Sequence, residues 1–293
     1  MSGGLHITLG VAGADLRPVV TQAPALPVAR LMCGRAPEDV ARLARSLFNL
    51  CGEAQDLAVR LALDLPRAEA DLGREILRDH LFKLMIAWPG LLGLAPRALP
   101  LGWEAGGPRL VSAVWGGAAP AHLAEWLAAG RGVAPALAAL AEAFAPGEAV
   151  AELAPLTDPF GTAPQENSPA GRRAGHPLMA EAEAAFGRGP LWRALGRLLD
   201  LAAFAETPPR GETPAPGRAL VPAARGTYAL EARAEGGVVT EFLRRTPTDH
   251  LLAPGGALEA ALGALPAAKA SRAGLVVDIL DPCVAVVMEG CHA

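Results

Sequence analysis

The stretch GRAPEDVARLARSLFNLCGEAQ, residues 34–55, places apolar side chains at Val40, Leu43, Ala44, Leu47, Phe48 and Cys51, three or four positions apart. That spacing lines one face of a helix, so the segment from about Pro37 to Leu65 reads as helical with Cys51 pointing inward. Pro37, Glu38 and Asp39 form its first turn, where a missing N–H costs nothing and the free amides and helix dipole favour negative charge. Outward from this segment, helical patterns cover about 68–87, 119–129, 133–145, 177–205 and, more briefly, 256–264. Two segments rich in proline, glycine and threonine, 154–177 and 207–218, read as loops. After Arg218 the sequence TYALEARAEGGVVTEFLRR alternates apolar and polar residues around Gly236-Gly237, the mark of a β-hairpin. The run AGLVVDIL, residues 273–280, reads as a strand that ends in the turn-forming pair Asp281-Pro282 just before Cys283. Together these readings give an α+β fold in one domain spanning 1–293: mainly a helical bundle, with a small antiparallel sheet and a C-terminal strand that brings Cys283 beside Cys51.

Composition narrows the function classes. The chain has 293 residues, 52% of them apolar, so a core forms without disulfides or metals. Its most apolar stretch, Leu84 to Trp103, is interrupted by Pro89, Pro96, Arg97 and Pro100 and falls short of the roughly 20 apolar residues of a membrane span. The first ten residues, MSGGLHITLG, lack the basic and apolar regions of an export signal, so a cytoplasmic location without membrane insertion is expected. A net charge of -4 without a basic run argues against a nucleic-acid partner. No GxxxxGK[ST], GxSxG or HExxH spacing occurs, which leaves nucleotide and hydrolase chemistry without support. Four cysteines are too few for a disulfide framework in so long a chain, and in a reducing compartment they stay available to metals. Neither Cys51 nor Cys283 is half of a CxxC pair, so each taken alone reads as a small buried residue.

Read with their flanks, both cysteines resemble the metal motifs of the NiFe-hydrogenase large subunit, a family that binds its metals through RxCGxC near the N-terminus and DPCxxCxxH near the C-terminus. Cys51-Gly52 matches the first motif, with Asn49 for the arginine and Ala54 for the second cysteine. Asp281-Pro282-Cys283 matches the second, with Val286 for its second cysteine and Glu289 for its histidine. Between them, Pro222-Ala223-Ala224-Arg225-Gly226 resembles the family's APRG segment and Thr246-Pro247-Thr248 its VPT segment. The matches follow the family's order and cover about 33–65 and 220–289; the middle of the chain matches loosely, and the whole is shorter than a catalytic subunit.

The resemblance implies the fold of a reduced NiFe-hydrogenase large subunit. It also implies that Cys51 and Cys283 are metal ligands, and that Arg225, Pro247 and Thr248 wall an iron ion and its cyanide ligands. Two thiolates cannot form the family's four-sulfur nickel site, so neither nickel nor hydrogen catalysis is expected. Accessory proteins of the HupK and HoxV type are similar degenerate large subunits. The expectation is therefore a maturation scaffold, not an enzyme, that binds or passes on an Fe(CN)2(CO) fragment. Its implied partners are the immature hydrogenase large subunit and a small iron-delivering chaperone. The ferrous fragment is neutral, so two thiolates leave the site doubly negative; Arg225 is the counter-charge, with donors that also suit cyanide nitrogen. Cys291 and His292 offer further ligands, whereas Cys33 and His80 read as structural. The alternatives are a divergent redox enzyme that uses Cys291 or His292, a metal-free interaction protein for hydrogenase assembly, and a redox-sensitive Cys51–Cys283 disulfide.

Overall fold

The computed structural model describes residues 4–24, 26–48, 50–66 and 71–290. The chain opens with a hairpin, β1 (Leu5–Ala12) and β2 (Asp15–Gln22). Four helices follow: α1 (Val28–Met32), α2 (Pro37–Leu47), α3 (Gly52–Ala62) and α4 (Leu72–Phe82). A wide turn of helix at Lys83–Ala87 carries α4 into α5 (Trp88–Leu91). The middle of the chain is helical: α6 (Gly107–Trp115), α7 (Leu123–Ala129), α8 (Ala134–Ala143), α9 (Pro169–Arg173), α10 (Pro177–Phe186) and the long, almost wholly buried α11 (Pro190–Glu206). Strands β3 (Glu212–Ala215), β4 (Arg218–Ala223), β5 (Gly226–Glu235) and β6 (Val238–Arg245) then form an antiparallel sheet in chain order. Helices α12 (Pro247–Leu251), α13 (Ala257–Gly263) and α14 (Ala273–Leu280) lead to β7 (Val286–Glu289).

Helices dominate, as the periodicity implies, and the β5–β6 hairpin turns at Gly236-Gly237, both with positive φ. Several sequence expectations need correction. The Pro37–Leu65 run is two helices, and Cys51 is the residue that starts α3 rather than a member of one continuous face. Gly52 makes the break: a β-carbon there would meet the Arg45 carbonyl oxygen at 2.6 Å, so glycine lets the second helix start against the end of the first. The segment 177–205 is likewise divided, at Gly187 with φ 76°. The expected loop at 154–177 contains α9, and that at 207–218 contains β3. AGLVVDIL is the helix α14 rather than a strand, because a short apolar run buried on most sides has no periodicity to separate the two. The true C-terminal strand, β7, comes later and pairs parallel to β1, so the smaller sheet, β2-β1-β7, is mixed.

Two hydrophobic clusters result. One joins the β1–β2–β7 sheet to α4–α8, α10, α11, α13 and α14; the other lies between α2–α3 and the β4–β6 sheet. Cys51 packs on the second cluster, and Leu280 and Val284, on either side of Cys283, pack on the first. The two candidate ligands thus meet along a seam between the cores.

Candidate metal centre

The C-terminal side of the seam starts from the end of α14. Asp281 takes the left-handed conformation, φ 55° and ψ 59°, which stops the helix; Pro282 prevents its resumption and Cys283 leaves toward α3. Asp281 is held by three cations: Arg197 Nη2 at 2.9 Å, Arg225 Nε at 3.0 Å and Lys83 Nζ at 3.1 Å. Burial pushes its carboxyl up, but those cations more than offset this and hold it down at about 2. Asp79 extends the network, meeting Arg197 at 2.8 Å and Arg225 at 3.4 Å.

Thr248 belongs to the first turn of α12, which is fixed by a reciprocal cap: Thr246 Oγ1 accepts from the Asp249 amide at 3.2 Å, and Asp249 Oδ2 accepts from the Thr246 amide at 2.7 Å. With Pro247 setting the helix direction, the Thr248 hydroxyl accepts from the Cys283 amide at 2.9 Å. Arg225 lies at the β4–β5 turn. Asn167 clamps that turn by accepting from the Thr227 amide at 2.6 Å and donating to its carbonyl at 2.9 Å. Arg172 donates to the carbonyls of Gly226 and Ala223 while pairing with the buried Asp200 at 2.8 Å. Asp200 also holds His80 at 2.9 Å and Arg173 at 3.0 Å, which makes His80 a structural residue.

On the N-terminal side, Glu75 of α4 receives the amides of Glu53 at 2.9 Å and Ala54 at 3.3 Å, satisfying free donors at the start of α3. Gln55 Nε2 donates to Cys51 Sγ at 3.1 Å. Burial raises the Glu75 carboxyl to about 7 despite its two amide donors. Its folded value lies above the ordinary 4.5, so the folded state binds the proton more tightly. This contribution to stability is full below pH 4.5 and is lost as pH rises to about 7. Glu75→Gln should therefore lose less stability than the parent protein between pH 5 and 7.5, by up to about 3 kcal/mol. Equal losses in urea titrations at the two pH values would refute this.

The structure brings together five of the seven residues singled out in the sequence. The Cys51 and Cys283 thiols lie near enough to one another to titrate together, both partly exposed and both free. Their mutual interaction pushes Cys51 up, reinforced by burial, and draws Cys283 down, where the Arg225 guanidinium also favours the thiolate. Thr248 accepts from the Cys283 amide with Pro247 beside it at the start of α12; burial lowers the Arg225 guanidinium, but the nearby Cys283, Asp281, Asp79 and Cys51 more than offset this and raise it. Cys291 and His292 lie outside the described residues, as does Asn49. Ala54 is buried within α3, and Val286 is paired with Leu5 on β7, so the two positions lacking thiols are occupied by packing residues. Among the described residues, no three His, Cys, Asp or Glu side chains converge as a metal cage. Cys33 packs on the same cluster as Cys51 but spends its thiol on the Thr240 carbonyl at 3.4 Å.

The chain is 61% identical to the hydrogenase expression/formation protein HupK of Rhodobacter capsulatus, over the full length of both proteins. It belongs to the HupK family. HupK of Azotobacter vinelandii is 28% identical, again over both full lengths, and no family model matches. In structure the chain is similar to the NiFeSe hydrogenase of D. vulgaris Hildenborough, with a TM-score of 0.58 over 93% of this chain and 94% of that one at 14% identity. The NiFeSe hydrogenase of Desulfomicrobium baculatum gives 0.57 over 94% and 95%, at 13% identity. This likeness carries the fold alone: the chain folds as a hydrogenase large subunit. It runs through the middle of the chain as well, where the sequence resemblance is loose.

Among the described residues, no helix is long and apolar enough to cross a membrane.

Proposed function

We propose that this chain is a scaffold in hydrogenase formation which receives an Fe(CN)2(CO) fragment on Cys51 and Cys283 and hands it on. The observation that carries this reading is the meeting of the two thiols beside Arg225, at a partly exposed seam between two cores. Soft thiolates suit low-spin iron, and a metal that brings three ligands of its own needs few from the protein. With two sulfurs and no converging third donor among the described residues, the site favours a cargo that can be released. Arg225 offsets the charge of the loaded thiolates. Thr248 fixes the backbone of Cys283, and Gln55 orients the sulfur of Cys51. The partners in this reading are the immature hydrogenase large subunit as acceptor and a small iron-delivering chaperone as donor, in the cytoplasm, with no reaction catalysed.

The test is infrared spectroscopy of the protein purified without oxygen from a host containing the hydrogenase maturation machinery. Bands of metal-bound cyanide and carbonyl are expected, and they should vanish in Cys51→Ser and in Cys283→Ser. A parent protein with stoichiometric iron but no such bands, or bands that survive both substitutions, would sink the proposal.

A further inference from the structure

The smaller sheet is open along β2. The two-residue β1–β2 turn has Gly13 at φ 67° in its first central position and closes on the Ala12–Asp15 pair. A turn of that length makes this closing pair a hydrogen-bonded one, so in β2 the alternate residues Arg17, Val19 and Thr21 spend their amides on β1. Ala23 keeps the same phase by donating to the Gly4 carbonyl at 2.9 Å. The intervening residues Pro18, Val20 and Gln22 therefore turn their main-chain groups to the outer edge. Proline at position 18 fits that phase, because it has no N–H to leave unpaired. Among the described residues, the outward main-chain groups of Val20 and Gln22 have no hydrogen-bond partner.

Beside this edge runs a groove of about 370 Å³, walled on its far side by Leu251, Leu252 and Ala253 at the end of α12 and by Leu258 and Glu259 of α13. Its near wall includes both Val19, which is 61% exposed, and Val20, which packs on the core from the other face of the sheet. The groove thus follows the edge of the strand rather than one face. Glu259 is the one charged residue of the lining; it accepts from the Gly255 amide at 3.0 Å and has no ion-pair partner among the described residues. Three demands coincide here. The free strand groups call for a second extended backbone, the walls for apolar side chains, and the lone carboxylate for a cation. A lipid chain meets only the second. Long pairing of β2 with another copy of itself is blocked, since Pro18 offers no N–H and Asp15 is already bridged to Pro266.

We propose that this groove binds an extended segment of a partner protein, about five residues long, which adds as a further strand along β2 and carries apolar side chains at alternate positions with a lysine or arginine for Glu259. The site requires neither thiol and no metal. Helix α12 links the two places: Thr248 in its first turn accepts from the Cys283 amide, and Leu251 at its end lines the groove.

The probe is the capped pentapeptide acetyl-Val-Lys-Val-Thr-Val-amide, titrated into the isotope-labelled protein. Saturable shifts and slowed hydrogen exchange are expected at the Val20 and Gln22 amides. The same peptide N-methylated at every amide should not bind, which tests the backbone pairing without altering the protein. Gln22→Pro removes one outward N–H and leaves the β1 pairing intact, so it should weaken binding about fivefold with the fold retained by circular dichroism. Glu259→Gln keeps the acceptor for the Gly255 amide and should weaken this peptide about threefold, while a peptide with threonine in place of lysine binds both proteins alike. Binding should persist in the Cys51→Ser/Cys283→Ser double variant, so this proposal and the iron-binding reading fail separately. No saturable change at Val20 and Gln22, equal binding of the N-methylated peptide, or full affinity in a folded Gln22→Pro variant would overturn the proposal. So would a dimer paired through β2 without peptide, or the same two amides protected by phosphatidylcholine vesicles.

Discussion

Asp281→Asn is expected to destabilise the protein by about 3–5 kcal/mol, the cost of breaking a buried ion pair by removing one partner. Three cations converge on this carboxylate: Arg197 at 2.9 Å, Arg225 at 3.0 Å and Lys83 at 3.1 Å. Lys83 has a second anion in Asp278, and the two arginines share Asp79. Removing Asp281 nevertheless leaves buried positive charge in excess. Asparagine preserves the shape of the side chain and tolerates the left-handed backbone at φ 55°, so its effect isolates the charge. Asp281→Ala should cost about 1 kcal/mol more, because alanine is less suited to that conformation. Urea denaturation monitored by circular dichroism measures both. A loss below about 1 kcal/mol for asparagine would mean that solvent screens the network, contrary to the 6% exposure of Asp281. The direction with pH is equally definite. The folded carboxyl lies below its ordinary 3.8, at about 2, so its contribution is present above pH 3.8 and is lost as pH falls toward 2.

Asp281 also shows how far the sequence could be read. Asp-Pro-Cys was legible as a turn before a candidate ligand, because proline and a short polar side chain leave few backbone choices. The element before it was not, since Leu275, Val276, Val277 and Ile279 are all buried and supply no period. The same limit applies around Cys51. Apolar spacing found the helices, but the break between α2 and α3 depends on how closely Gly52 approaches the Arg45 carbonyl, a tertiary contact. The residues that hold the site in place were harder still. Asp79, Arg172, Arg197, Asp200 and Asn167 come from helices and a loop far apart in the chain, and charged residues in such segments ordinarily read as solvated surface. Arg172-Arg173 near Ser168 and Pro169 gave a faint signal, a pair of arginines in a segment otherwise read as loop; nothing local pointed to their shared carboxylate on α11. The five candidate residues that meet in the structure were singled out by motif likeness, while their supports are set by packing alone.

The last expectation concerns Arg225, and it separates charge from shape at the proposed cargo site. Loading a neutral iron fragment on two thiolates places two negative charges beside one guanidinium. At about 5 Å and an effective dielectric near 20, one such charge pair is worth about 3 kcal/mol, on the order of 100-fold in retention. Arg225→Met should therefore release the iron fragment on the order of 100-fold more readily, measured as cyanide and carbonyl band intensity per protein after gel filtration. It should also destabilise the apo protein, because Asp281 and Asp79 lose a partner. Arg225→Lys resolves the two effects. Lysine restores a cation near Asp281 but not the planar fork that reaches Asp281 and Asp79 together, so it should recover most of the retention while melting below the parent protein. If the methionine variant instead keeps its bands at full intensity, the thiolate charge is balanced elsewhere and Arg225 serves only to hold Asp281. If methionine and lysine variants lose the bands equally while both stay folded, the guanidinium acts by its hydrogen-bonding shape rather than its charge. Only the graded order, parent above lysine above methionine, matches a counter-charge fixed at the seam of the two cores.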